Sequence, residues 1–219
     1  MNATPRLEAS GAFLLALALA VALPAAKALA QDTARGEQLY GLCAQCHGEN
    51  GAGDPAALAP AIAGLPVWFV TGQLQKFRNG GRGTHFDDIS GMRMRPMSMW
   101  LRDDADVANV AAYVASLPKV NPAPTLEGGN AEVGKEKYAL CASCHGVNGE
   151  GNQALNGSPL AGTSDWYQLS SLQKFKAGVR GGPKDPSGAL MRGMATSQIP
   201  DEQTMLDLIA YIVTLTPKN

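Results

Sequence analysis

Cys43-Ala44-Gln45-Cys46-His47 and Cys141-Ala142-Ser143-Cys144-His145 hold all four cysteines of a 219-residue chain. Cys-x-x-Cys-His is the attachment signature of a c-type haem. Each thiol adds across a vinyl group to form a thioether, and the histidine that follows becomes an axial ligand of the iron. The two-residue gap lets one turn of backbone present both sulfurs along one porphyrin edge, with the imidazole beneath the metal. Two such segments imply two covalently bound haem c groups. A lone Cys-x-x-Cys would also suit a redox dithiol or half of a zinc site. Here both motifs continue into glycine (Gly48, Gly146), and a four-cysteine zinc site would leave both histidines without a role.

Outward from the motifs, the chain repeats itself. An offset of 98 residues carries Cys43 to Cys141, Gly36 to Gly134, Tyr40 to Tyr138, Trp68 to Trp166, Leu74-Gln75-Lys76-Phe77 to Leu172-Gln173-Lys174-Phe175, Arg82 to Arg180 and Tyr113 to Tyr211. This is one domain written twice, over residues 31–117 and 129–219. Between the copies, residues 118–128 read as a stiff linker, because Pro118, Pro122 and Pro124 block helix and strand continuation.

Residues 1–30 read as a secretory signal peptide. Arg6 lies in a short leader, Gly11 to Leu23 is almost uninterrupted apolar sequence, and Ala28-Leu29-Ala30 supplies small residues at a cleavage site. The apolar run is shorter than the ~20 residues a membrane span needs. The expectation is an exported, periplasmic chain starting at Gln31, which fits the haem reading because haem is joined to apocytochromes outside the cytoplasm. Eighteen Lys and Arg against nineteen Asp and Glu give a net charge of −1. No polybasic surface is built, so nucleic acid is not an expected partner.

The pattern predicts an all-α fold of two tandem domains, each a three-to-four-helix shell around its haem. In the first copy Thr33 can cap a helix over Ala34–Cys43. A second helix runs over Val67–Arg78, and Asp103 can cap a third in which Val107, Val110, Ala111, Val114 and Leu117 recur at helical spacing. The counterparts are Ala131–Cys141, Asp165–Ala177 and Asp201–Leu215, and the methionine-rich stretch before each last helix reads as loop. A domain of under 100 residues buries little apolar surface of its own, so a porphyrin serves as much of the core.

Each iron needs a second axial ligand opposite His47 or His145. Methionine is the natural candidate, because it raises the reduction potential. Met94-Arg95-Pro96-Met97 aligns with Met191-Arg192-Gly193-Met194, which narrows the choice to the first or last methionine of each tetrad, Met94 and Met191 being preferred. His85 has no equivalent in the second copy and reads as a solvated loop residue.

Taken together, the residues resemble the dihaem class I cytochromes c, and cytochrome c4 in particular, over essentially the whole mature chain. The resemblance rests on two Cys-x-x-Cys-His-Gly segments, a Pro…Ala-Gly turn after each (Pro60, Ala63-Gly64; Pro159, Ala161-Gly162), the Leu-Gln-Lys-Phe helix, a Gly/Arg loop, Met-Arg-x-Met, and Ala-Tyr in the last helix. It implies that a proline carbonyl orients each histidine, at Pro60 and Pro159, and that the opening methionines, Met94 and Met191, are the axial ligands. Arg82 and Arg180 stand where a haem propionate would be convenient, and a solvated arginine fits the sequence equally well.

The function implied is an electron carrier rather than an enzyme. Its redox partners would be a quinol–cytochrome c reductase or dehydrogenase as donor and a terminal oxidase or reductase as acceptor. A dedicated haem subunit of a periplasmic dehydrogenase is the alternative, and peripheral association with the membrane is compatible with either. Haem staining checks the cofactor count: Cys141→Ala/Cys144→Ala should take the chain from two covalent haems to one, and retention of two overturns the attachment reading.

Overall fold

Six of the eight α-helices among the described residues begin where an Asp or Asn side chain accepts one of the free amides of the first turn. The computed structural model describes Met1 and residues 31–216; residues 2–30, on which the signal-peptide reading rests, lie outside them. The first half forms α1 (Thr33–His47), α2 (Val67–Arg78), α3 (Ile89–Trp100) and α4 (Asp104–Ser116). The second forms α5 (Ala131–His145), α6 (Asp165–Lys176), α7 (Pro186–Gln198) and α8 (Glu202–Ile212). Asp88 caps α3 through the Gly91 amide, Asp103 caps α4 through Asp106, Asp185 caps α7 through Gly188, and Asp201 caps α8 through Thr204. Among the described residues no strand forms, only an isolated bridge in each half, Asp54 with Ala59 and Asn152 with Gly157.

Two expectations change. The cap of α1 is Asp32, whose carboxylate accepts from the Arg35 amide, and Thr33 is already helical. The larger change is that each methionine stretch is a helix rather than a loop. Pro96 lies inside α3, where it lacks an N–H for the ladder, and glycines interrupt α7. Neither stretch therefore carries the clean apolar period that betrays a helix in sequence. Both α1 and α5 also run on to the histidine of the haem motif, further than their apolar spacing predicts.

Inside each half the first and last helices cross closely. A Cβ at Gly36 would stand 2.1 Å from the Asn109 carbonyl oxygen, and one at Gly134 would stand 1.8 Å from that of Asp207, so only glycine lets these backbones approach. Tyr40 and Tyr113 pack across the first crossing with ring centroids 5.2 Å apart, and Tyr138 and Tyr211 do so across the second at the same distance. The cores are small: Leu39, Tyr40, Leu74, Leu101, Val107, Val110 and Val114 in one half, Tyr138, Ile199, Met205, Leu208 and Ile212 in the other. Each surrounds the cysteine-bearing helix rather than filling a closed interior.

The halves meet through polar side chains arranged with approximate two-fold symmetry. Lys76 of α2 reaches Asp185 Oδ1 at 2.7 Å, and Lys174 of α6 reaches Asp88 Oδ1 at 2.8 Å. Both carboxylates are almost fully buried, at 1% and 2% exposure. The Ser164 hydroxyl accepts from the Ala61 amide, and the Tyr167 hydroxyl accepts from Arg82 Nη2 at 3.2 Å. The linker is tied to the second half, where the Thr125 and Leu126 amides donate to the buried Asp165 carboxylate.

Burial pushes the Asp88 carboxyl up, but the Lys174 ammonium, with help from Arg82 and the Gly91 amide, holds the group below its ordinary value. Asp185 is lowered in the same way by Lys76. A carboxylate with a depressed folded value stabilises the fold fully above the unfolded value of about 3.9 and loses that contribution as pH falls below it. The midpoint of thermal unfolding should therefore fall steeply below about pH 4. Asp88→Asn/Asp185→Asn should flatten that acid limb, and an unchanged slope in this variant counts against the assignment.

Candidate functional site

The last turns of α1 and α5 present the haem motifs. Cys43 and Cys141 are half-buried against the core clusters, and Cys46 and Cys144 are exposed. Burial pushes the Cys43 thiol up to about 11 and raises Cys141 in the same sense. Both shifts run opposite to the lowered values that activate the thiol of a redox dithiol. The two pairs sit in separate halves, and among the described residues no group of three or more His, Cys, Asp or Glu converges on a point.

Each helix ends at its histidine because the following glycine turns the chain into a loop that comes back under the imidazole. In the first half the Gly53 amide bonds the His47 carbonyl and the Ile62 amide bonds Gly51; in the second, Gly151 bonds His145 and Leu160 bonds Gly149. That return places the Pro60 carbonyl 2.8 Å from His47 Nδ1. In the second half the acceptor is the carbonyl of Ser158, 2.7 Å from His145 Nδ1, and not that of Pro159. This corrects the expectation from the proline-containing turn. The loop keeps the 98-residue register throughout, so Ser158 is the counterpart of Pro60 and Pro159 the counterpart of Ala61. A backbone carbonyl does the work, and the side chain at that position is free to change.

A carbonyl oxygen can only accept, so Nδ1 of each ring carries the proton and Nε2 keeps its lone pair. Burial holds both imidazoles below their ordinary value, against the smaller opposing pull of the carbonyl, and so keeps them neutral. A neutral imidazole whose far nitrogen is hydrogen-bonded to a carbonyl is a metal ligand with its orientation set.

Whether these halves suit haem can be tested on the arginines. Arg82 is buried and its guanidinium lies 4.3 Å from the Phe77 ring centre; Arg180 stands 4.2 Å from that of Phe175. Arg82 donates to Gln73 and Tyr167, and Arg180 donates to Ser171. Yet Nε of Arg82, Arg95 and Arg180 is buried without a hydrogen-bond partner. Burial and the neighbouring Arg82 charge push Arg180 down to about 10. Burial acts on Tyr167 in the opposite sense to Arg82 and Arg180, and the two guanidiniums prevail, bringing it down to about 7. Such a concentration of cation with unfilled donors calls for anions, and haem carboxylates supply them. The donor set fits two haems.

Met94 is half-buried and packs against the first core, and Met191 is half-buried at the matching turn of α7. Met97 and Met194 are each 38% exposed. His85 stays apart from the haem motifs, stacked on Phe86 and accepting from the Asp87 amide.

Three features escaped sequence reading. Asp88-Ile89-Ser90-Gly91 and Asp185-Pro186-Ser187-Gly188 are an Asp-x-Ser-Gly repeat six residues ahead of Met94 and Met191, and the repeat was there to be found by extending the methionine alignment. Gly83 and Gly181, both at positive φ, let the Gly/Arg loop run against the Gly91 and Gly188 carbonyls of that repeat. Tyr167 left no signal, because its counterpart at position 69 is phenylalanine.

The cytochrome c family profile matches residues 33–118 and again 131–216. A thiosulfate dehydrogenase electron acceptor from Thiomonas intermedia (strain K12) is 36% identical over 173 residues, 74% of this chain and 73% of that protein. Cytochrome c4 from Azotobacter vinelandii is 30% identical over 191 residues, 83% of this chain and 89% of that one. Among solved structures, reduced recombinant cytochrome c4 from Pseudomonas stutzeri superposes with a TM-score of 0.66 at 26% identity, covering 85% of this chain and 100% of that one.

Removing a buried cation beside a haem carboxylate favours the oxidised, more positive state. Arg82→Leu should therefore lower the first reduction potential by on the order of 50 mV, about 1 kcal/mol for one electron, read by spectroelectrochemical titration. An unshifted potential would rule out this role for Arg82.

Proposed function

The chain belongs to the cytochrome c family as two such domains in tandem, and from that premise we propose a periplasmic shuttle that passes electrons between respiratory complexes. It is a dihaem electron-transfer cytochrome. When bound, each haem supplies a one-electron iron couple. The residues decide how that couple is held. Cys43 and Cys46, and Cys141 and Cys144, fix each porphyrin edge, and His47 and His145 present Nε2. Met94 and Met191 would be the second ligands; their half-burial, against the exposure of Met97 and Met194, supports that choice. With both ligand positions taken by residues of the chain, no open site would remain for a substrate, and the protein would carry electrons rather than catalyse a reaction.

The observation that carries this reading is that two like imidazoles, each held by its own carbonyl, stand in two halves joined by a buried polar interface. Electrons can enter at one half and leave at the other. We read residues 31–117 and 129–219 as the two domains and 118–128 as the linker, with a quinol–cytochrome c reductase or dehydrogenase as donor and a terminal oxidase or reductase as acceptor. A dedicated acceptor for one periplasmic dehydrogenase is the second reading, favoured by the 36% identity to a protein of that description. Stopped-flow exchange separates them. A general shuttle is reduced by the quinol–cytochrome c reductase and oxidised by the oxidase, whereas a dedicated acceptor is reduced by its dehydrogenase alone.

The ligand assignment has its own test. Met94→Ala should abolish the long-wavelength methionine–iron charge-transfer band of one haem, and Met97→Ala should leave it intact. The reverse result would move the ligand to Met97.

A further inference from the structure

The two lysines of the repeated Gln-Lys-Phe segments do not serve their own domains. Lys76, on α2 of the first half, holds Asp185 Oδ1 at 2.7 Å and Ser187 Oγ at 2.6 Å. Lys174, on α6 of the second half, holds Asp88 Oδ1 at 2.8 Å and Ser90 Oγ at 2.7 Å. In both places the target is the Asp-x-Ser-Gly turn that starts a methionine-bearing helix, and its aspartate is that helix's N-cap. The contact is crossed: each half's lysine grips the other half's helix.

We propose that Lys76 and Lys174 are positioning residues for the axial methionine of the opposite domain, Lys76 for Met191 and Lys174 for Met94. The proposal rests on the reading of Met94 and Met191 as ligands. Its physical basis is that each cap has one ion-pair partner, its lysine, while a guanidinium (Arg82 for Asp88, Arg180 for Asp185) adds a smaller pull from further off. Asp185 Oδ1 accepts from the Gly188 amide, the Ser187 hydroxyl and Lys76, while Oδ2 is buried without a partner. Asp88 is built alike: Oδ1 accepts from Gly91 and Lys174, and Oδ2 is again bare. A carboxylate buried to that degree loses its only direct ion-pair contact once its lysine is gone. Proton uptake or movement toward water then weakens the cap.

Room to adjust is small. The Gly91 and Gly188 positions have a cap oxygen 2.0 and 2.2 Å from where a Cβ would be, and their carbonyls are pressed by Gly83 and Gly181 from the Gly/Arg loop. A displaced first turn therefore carries the next turn with it, and Met94 and Met191 sit six residues beyond their caps. In α3 the backbone has one ladder bond fewer because of Pro96, so the first domain leans more heavily on its cap. The arrangement makes the sulfur ligand of either iron depend on the two domains staying docked.

The test uses the two-haem protein and reads each haem separately. Met94→Leu and Met191→Leu first assign the charge-transfer band of each site. In the oxidised protein, Lys76→Met should weaken the band assigned to the second haem and raise the affinity of that haem for added imidazole about tenfold, the scale expected when a charge-assisted hydrogen bond is lost. The first haem, in the domain that carries the substitution, should be unchanged. Lys174→Met should do the reverse, with the larger effect. Lys76→Arg should restore the band, and Ser187→Ala should reproduce a weaker version where Lys76→Met does not accumulate. Effects confined to the substituted domain, equal effects on both haems, or none at all would overturn the proposal. If Met191→Leu itself leaves the band in place, the ligand reading has failed instead, whatever Lys76 does.

Discussion

A hydrogen bond from imidazole Nδ1 to a loop carbonyl is the interaction on which the rest of this protein depends. It must satisfy a buried donor, fix a tautomer and aim Nε2, all with one contact. To provide it, α1 and α5 end at the histidine and the chain folds back, pinned by amides that bond the histidine's own carbonyl and that of the glycine four residues on. The cysteines one turn earlier then lie on the same wall as the imidazole. The helix crossings at Gly36 and Gly134 hold that wall in place with little apolar material. These small clusters of side chains, arranged around a cysteine-bearing helix, make sense as lining for a porphyrin rather than as self-sufficient cores.

Charge organises the second level. Between the halves stand two lysines, two arginines and a tyrosine, balanced by two deeply buried aspartates and, with haem bound, by its carboxylates. The lysines are matched ion for ion with the aspartates, while the arginines keep unfilled donors. The lysines thus join the domains by ion pairs, while Arg82 both reaches Tyr167 across the interface and, like Arg180, keeps a donor free for the cofactor. The interface is polar because each buried charge on it has a partner of opposite sign to meet, and that also gives the contact a single register. Two cytochrome domains joined this way form one redox unit instead of two beads on a linker.

The symmetry is incomplete in ways that bear on function. Pro96 stands where Gly193 does, five exposed large apolar residues of α3 (Ile89, Met92, Met97, Met99, Trp100) compare with two on α7 (Leu190, Met194), and Tyr167 answers Phe69. The two irons therefore sit in related but unequal surroundings.

Much of this was legible in the sequence. The motifs specified covalent haem and its histidines because thioether chemistry demands those residues at that spacing. The 98-residue offset specified duplication, and apolar periodicity located three of the four helices in each half. What stayed hidden had more than one physical cause. The methionine helices lack a clean apolar period because Pro96 interrupts α3 and Gly188 and Gly193 interrupt α7. The acceptor at Ser158 is a main-chain oxygen, which no side-chain pattern can announce. The lysine–aspartate pairs join residues about a hundred positions apart across an interface. By itself, then, the sequence determined the cofactor, its attachment and the two-domain plan, which follow from local spacing. Only the tertiary structure decided how the domains engage and which carbonyl orients each histidine, because those contacts exist only once distant segments meet.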